Sequence, residues 1–344
     1  MTAPFPGEAA LASRLDSAAD KIEALYGMAT GAYGQGNYLE ALTCCEEIRQ
    51  LAKGGLEPLS IAICDRLSAI SLHALGKHDD AERLAARVMH FESDDLQRRF
   101  QSEVPFGVSM RIQLARIGWL RGDFENAWAI ANQAIFRDAT VHAFARCQPL
   151  GMAAIPIAIW KGDLKTAACL NQELLDQALR SNLPFWRAFA TAYGSIIDGQ
   201  PVLPGTEHAI LLEQTPLLMD IVGAVQPVLP SALLLERVRD GKVGWSAPEV
   251  LRVAALAAVD PADDASLARC VASLHRALAI STEQGALFWS LRVLVSLCEI
   301  LPVGDPAQAL VKDRLSALLE QVDDGSQMPD LARARELAHG VARR

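Results

Sequence analysis

The chain has 344 residues, 51% hydrophobic, 21% charged and 6% aromatic, with a formal net charge of −9. That length supports a sizeable core and about two domain equivalents, and the evenly spread apolar content excludes a disordered chain. An acidic chain without basic clusters argues against direct nucleic-acid binding and against an anionic membrane as the main partner.

Met1 to Glu8 carry no Lys or Arg and no apolar signal core follows, so no secretion signal is expected. The uncharged runs Cys147–Trp160 and Ile221–Leu235 contain Pro and fall short of the ~20 apolar residues of a membrane helix. A cytoplasmic protein is expected. Its seven cysteines are expected to be reduced and packed in the core, with Cys64, Cys169, Cys270 and Cys298 in apolar helical contexts.

In chain order, four segments share one pattern: a helix rich in small and apolar residues, a Gly-centred turn, and a second helix opening near a packing Ala. They are Leu25–Ile48, turning at Gly36 with Ala41; Asp65–Val88, at Gly76 with Ala81; Arg111–Ala134, at Gly122 with Ala127; and Gly151–Leu174, at Gly162 with Ala167. The packing alanines stand 40, 46 and 40 residues apart, and each follows its Gly by five. Gly accepts the left-handed conformation that ends a helix, and Asn37, Asp123 and Asp163 suit the turn and the cap of the next helix. After Ala188 the phase weakens, and the stretch 196–248 is rich in Pro and Gly, which predicts short or bent helices and a hinge. Helical pattern returns at Pro248–Val259, Ala265–Gln284, Leu287–Leu301, Pro306–Val322 and Pro329–Arg344. Three regions are expected: N-terminal repeats over 1–195, an irregular hinge over 196–248, and C-terminal repeats with a capping helix over 249–344.

On Gly36, Tyr38 and Ala41, on Gly122, Phe124, Ala127 and Ala131, and on Gly162, Leu164 and Ala167, the chain resembles tetratricopeptide (TPR) repeats. The second repeat departs at His78, where an apolar residue is usual, and the period exceeds the standard ~34 residues. The resemblance implies an all-α fold, a right-handed superhelix of TPR-like helical pairs. A narrower resemblance lies in Trp245, Pro248, Glu249, Leu251 and Arg252; Leu274, Arg276, Ala277, Leu278 and Ile280; Gln284, Gly285, Ala286, Trp289, Leu291 and Arg292; and Ser296 and Leu297. In this order they resemble the C-terminal TPR-like region of bacterial winged-helix regulators, STAND-type ATPases and class III nucleotide cyclases. The resemblance covers about residues 20 to 320, so it implies the sensor or interaction half of such proteins without their output domains.

Motifs for chemistry are missing. Gly76-Lys77 is followed by His78 and Gly241-Lys242 by Val243, so neither is a phosphate loop, and no Gly-x-Gly-x-x-Gly occurs. Cys-x-x-Cys, His-Glu-x-x-His and Gly-x-Ser-x-Gly are likewise absent from the sequence, so no metal, cofactor or catalytic residue is expected.

Repeat proteins bind through the concave face built by the first helix of each pair. Counting back from each packing Ala, that face carries Tyr26 and Tyr33, then Arg66 and His73, then Arg116 and Trp119, then Trp160, with Trp186 and Arg187 opening the next helix. Aromatic residues and Arg are what binding hot spots are made of. Arg116 and Trp119 lie one turn apart and are expected to be exposed, whereas Trp128 is assigned to the core. Trp245 and Trp289 are expected to pack the C-terminal repeats, with Arg252 and Arg292 as structural partners. The expected function is a non-enzymatic regulatory module that binds a protein segment or peptide in the groove and connects to a transcriptional or nucleotide-signalling output on another chain. The alternative is a sensor that closes around an anionic or aromatic metabolite. A long open groove would favour the first, a closed pocket between two halves the second.

Overall fold

A computed structural model describes residues 18–52, 58–90, 104–135, 142–200, 214–225, 232–322 and 327–339. Among them every regular element is helical, and no strand occurs. The helices are α1 (Ala18–Gly34), α2 (Tyr38–Ala52), α3 (Pro58–Ala74), α4 (His78–Val88), α5 (Phe106–Leu120), α6 (Phe124–Ala134), α7 (Ala143–Pro149), α8 (Ile155–Trp160) and α9 (Leu164–Arg180). They continue as α10 (Pro184–Ile197), α11 (Pro216–Val225), α12 (Ala232–Arg239), α13 (Ala247–Ala257), α14 (Asp264–Glu283), α15 (Leu287–Ile300), α16 (Pro306–Val322) and α17 (Pro329–His339). The acidic pair Asp323-Asp324 and the terminal Arg343 and Arg344 lie outside the described residues.

One turn closes each predicted pair. Asn37, Lys77, Asp123 and Asp163 donate their backbone N–H to the carbonyls of Ala32, Leu72, Gly118 and Ala158, at 2.9, 2.8, 3.0 and 3.0 Å. The turn glycine before each stands at φ between +72° and +86°, the left-handed position this bond pattern requires. The packing alanines Ala41, Ala81, Ala127 and Ala167 are fully buried, so no side chain keeps the two helices apart. The predicted cap holds at Asp163, which accepts from Thr166 N at 3.0 Å, whereas Asp123 accepts instead from the Asn126 side chain. The same turn recurs where the sequence hid it. Leu183 bonds back to Ala178 with Asn182 at φ +49°, and Ala286 bonds back to Ser281. There Ser290 takes the place of the packing Ala and its hydroxyl meets that of Ser281 at 2.8 Å.

The fourth predicted pair differs inside its first helix. Pro149 and Pro156 each lack an N–H, and the backbone between them, Leu150–Ala154, widens into a π turn in which Ile155 N–H bonds to Leu150 O. Gly151 lies in this turn. A Cβ there would run into the ring of Trp186, and its carbonyl accepts from Tyr193 Oη at 2.7 Å.

Two buried clusters form the core, and α5 serves both. Phe106 and Met110 join the first, with α1 to α4; Ile112, Ala115 and Trp119 join the second. The second runs from Val104 to Ala334 and takes in Leu218, Ile221, Leu234, Val243 and Trp245 of the Pro/Gly-rich stretch. The C-terminal half thus folds back over the turns of the N-terminal half. A Cβ added at Gly36 would meet Pro216 and Arg237, one at Gly76 would meet Gln284, one at Gly122 Val322 and one at Gly162 Pro329. Main-chain bonds seal this seam: Gly244 N and Trp245 N both donate to Ala74 O, at 2.8 and 3.2 Å.

Two placements correct the sequence. Trp128 is only half-buried at the edge of the core, with Lys161 Nζ 6.0 Å from its ring. Among the seven free cysteines, Cys169 is exposed, because it falls on the outer face of α9. No described helix is long and apolar enough to cross a membrane.

Candidate functional site

The expected exposure of Arg116 and Trp119 fails: they are 4% and 0% exposed. Their helix faces inward as the spacing required, but that face is roofed by the chain's own C-terminal half. Trp119 packs against Phe124, Trp160 and Phe288, with ring centroids 4.7, 6.1 and 5.6 Å away. Trp160 is also buried and meets Trp289 edge-on at 5.6 Å. Trp186 lies buried among Phe144, Phe185 and Phe189, and Arg187 is half-buried beside it in sequence. Arg66 is spent locally: it donates to Ser109 Oγ and to Tyr26 Oη and lies over the Phe106 ring. The nine singled-out residues therefore fall into separate groups. Tyr26 pairs with Arg66, Trp119 stacks with Trp160, Trp186 stands apart, and Tyr33, His73 and Arg116 meet around one small cavity.

That cavity, about 10 Å³, lies between the halves, with Tyr38, Gln113, Asp220 and Trp245 also in its wall. The Arg116 guanidinium carbon stands 4.1 Å from the centre of the Trp245 ring, and His73 stacks on the same indole at 5.5 Å. Asp220 accepts three hydrogen bonds. Arg237 donates to both its oxygens, at 2.9 and 2.7 Å, and Tyr38 Oη donates to Oδ2 at 2.8 Å. Burial nevertheless lifts the Asp220 carboxyl above its ordinary value. Burial also pushes the Tyr33 phenol up to about 12 and the Arg116 guanidinium down to about 10. His73 is held neutral by burial and by the charge of Arg116, and its Nδ1 lies 3.1 Å from Nδ1 of His78. That contact needs one ring to donate and the other to accept.

A larger concavity of about 470 Å³ opens at the other end of the seam. Its apolar wall includes Ile159, Leu164, Ile196, Ile197, Val225 and Val295, and its polar lining Glu249, Arg252, Arg292, Ser296, Asp330 and Glu299, the last paired with Arg333. Glu249 is 0% exposed. Arg252 clasps it with two bonds of 2.8 Å, and Arg292 reaches it at 2.9 Å while also holding Asp330. Burial opposes the Glu249 charge, but the two guanidinium groups outweigh it and keep the carboxyl below its usual range. Arg252 and Arg292 thus act as ion-pair partners, and every guanidinium nitrogen is engaged: those of Arg252 by Glu249 and Ser296, those of Arg292 by Asp330 and Glu249.

No protein-family model matches this chain, and no curated protein matches it in sequence. Asp220, Arg237 and Glu249 escaped the sequence reading. Asp220 and Arg237 belong to the irregular stretch, where no period marks a face. Glu249 had one signal: it stands in the Trp245–Arg252 motif, three residues before Arg252.

Proposed function

We propose that the chain is a non-catalytic, ligand-responsive regulatory module that takes a small molecule with an apolar body and an anionic end in the 470 Å³ cleft between its halves. One observation carries this reading. The cleft falls in the size range of small-molecule sites and joins an apolar wall to a polar floor that carries two arginines. Its walls come from α8, α9 and α10 on one side and α11, α13, α15 and α17 on the other, so a ligand there would set how the halves fit. Non-catalytic action is supported by the state of the acidic groups: the Glu249 carboxylate is clasped by arginines and makes a weak base. The recurrent turn supports a right-handed superhelix of TPR-like pairs. The resemblance of the Trp245–Leu297 region supports a cytoplasmic role coupled to a transcriptional or nucleotide-signalling output on another chain. A peptide lying along Tyr26, Tyr33, Arg66, His73, Arg116 and Trp119 would need the C-terminal half to lift away and expose the core.

The test is a thermal-shift and amide-NMR titration with a panel of aliphatic and aromatic carboxylates. Leu164→Trp serves as a variant that narrows the mouth from an exposed position. Stabilisation by one class, with shifts at residues 159–164 and 292–299 that vanish in the variant, is the expected result. Responses confined to other regions, or none, overturn the reading.

A further inference from the structure

Arg116 is a buried cation with no carboxylate in contact among the described residues. It makes no ion pair or hydrogen bond with any described residue; its guanidinium lies over the face of Trp245, and Asp220 acts on it only at longer range. The carboxylate sharing its cavity, Asp220, already balances Arg237 and accepts from Tyr38, so Arg116, Arg237 and Asp220 together carry a net charge of +1. A cation–π contact offsets only part of the cost of taking a guanidinium out of water. Around the same cavity stand polar groups whose bonding is incomplete. His73 Nε2 and Gln113 Oε1 have no hydrogen-bond partner, and both residues are almost fully buried. Tyr33 adds a hydroxyl kept protonated by burial. With His73 accepting at Nδ1 from His78, its Nε2 carries the proton and becomes a donor. Guanidinium, phenol and imidazole are then donors facing a cavity whose carboxylate, Asp220, already accepts three hydrogen bonds.

We propose that this cavity is an anion site, filled by a chloride-sized monovalent ion held by Arg116 and by donors from Tyr33 and His73. Its volume, about 10 Å³, suits a single water-sized occupant and excludes phosphate, sulfate or a metabolite carboxylate. Of the common anions, only a halide is this small. Tyr33, His73 and Arg116 come from α1, α3 and α5, while Asp220 and Trp245 come from the C-terminal half. A bound halide would neutralise the charge at the seam and favour the closed arrangement of the halves. This site is separate from the cleft, and neither reading depends on the other.

The experiment uses the full chain in sodium gluconate, replaced stepwise by sodium chloride or bromide at constant ionic strength. Gluconate is too large for the cavity. Wild type should gain about 3–5 °C in melting temperature as chloride saturates, and similarly with bromide. Arg116→Gln should respond to neither ion, and Tyr33→Phe should need several-fold more chloride. Crystals grown in bromide should show an anomalous peak within contact distance of the Arg116 guanidinium. A wild-type melting temperature indifferent to halide overturns the proposal, as does an equal response in Arg116→Gln. Should Arg116→Gln not fold, the bromide peak and Tyr33→Phe decide; absence of the peak means that the cavity holds water only, and the proposal fails.

Discussion

Two buried ionic centres lie along the same seam, and they solve the problem of burial differently. At the cleft, Glu249 is matched by Arg252 and Arg292, and Arg292 by Asp330, so every charge has a partner at 2.8–3.1 Å. At the inner cavity, Asp220 is matched by Arg237, and Arg116 is left over. The first centre is self-sufficient within the protein, and breaking it should be costly. The second is incomplete, and removing its odd charge should cost little.

Deleting one partner of the complete centre is the largest test. Glu249→Ala leaves Arg252 without its carboxylate and Arg292 with Asp330 alone, and should lower stability by about 3–5 kcal/mol in urea denaturation. A loss below about 1 kcal/mol would mean that water reaches the floor of the cleft and that the contrast between the centres is false.

A second comparison sets Trp119 against Trp128. Trp119→Ala opens a hole among Trp160, Phe124 and Phe288 and should cost about 3–5 kcal/mol. Trp128→Ala, at a half-buried position, should cost clearly less in the same assay. The reverse order would show that the aromatic stack is not what joins the halves.

Third, the inner centre should weaken in acid. His73 and His78 are neutral in the fold, pushed below their ordinary value of 6.5 by burial and then by Arg116 and Arg121, His78 to about 3. The unfolded chain takes up these protons from about pH 6.5 downward and the folded chain does not. Stability therefore falls as pH drops, by about 2 kcal/mol per histidine at pH 5. Asp220, raised by burial, works in the opposite sense, and Glu249 enters only below its unfolded value near 4.5. Urea midpoints at pH 7 and 5, compared with His73→Gln and His78→Gln, check this; a slope that survives in both variants assigns it elsewhere.

The smallest effect should come from Arg116→Met in gluconate, within about 1 kcal/mol of wild type or slightly stabilising, because it trades an unpaired buried charge for an apolar chain of similar length. A loss of 3 kcal/mol or more would show that Arg116 is balanced inside the protein after all.

The repeat unit was legible because it is local. A left-handed Gly, its bond back to the preceding helix and an Ala five residues later involve neighbours in sequence, so Gly36, Gly76, Gly122 and Gly162 announced the turns. The turn at Asn182 was hidden because Asn also tolerates the left-handed region, and the one at Gly285 because Ser290 replaced the Ala. The inner face was legible too, since helical spacing alone puts Tyr33, His73, Arg116 and Trp119 inward.

What covers that face was decided by tertiary structure. Spacing cannot distinguish an aromatic stripe lining a groove from one packed against another layer, because both need the same side chains at the same intervals. The difference lies in contacts between residues far apart in the chain: His73 and Arg116 with Trp245, Tyr38 with Asp220, Trp119 with Phe288. The stretch that supplies Asp220 and Trp245 has no helical period to mark where it docks. The sequence by itself determined the helices, their turns and which faces are apolar; the return of the C-terminal half over them decided which of those faces meets water.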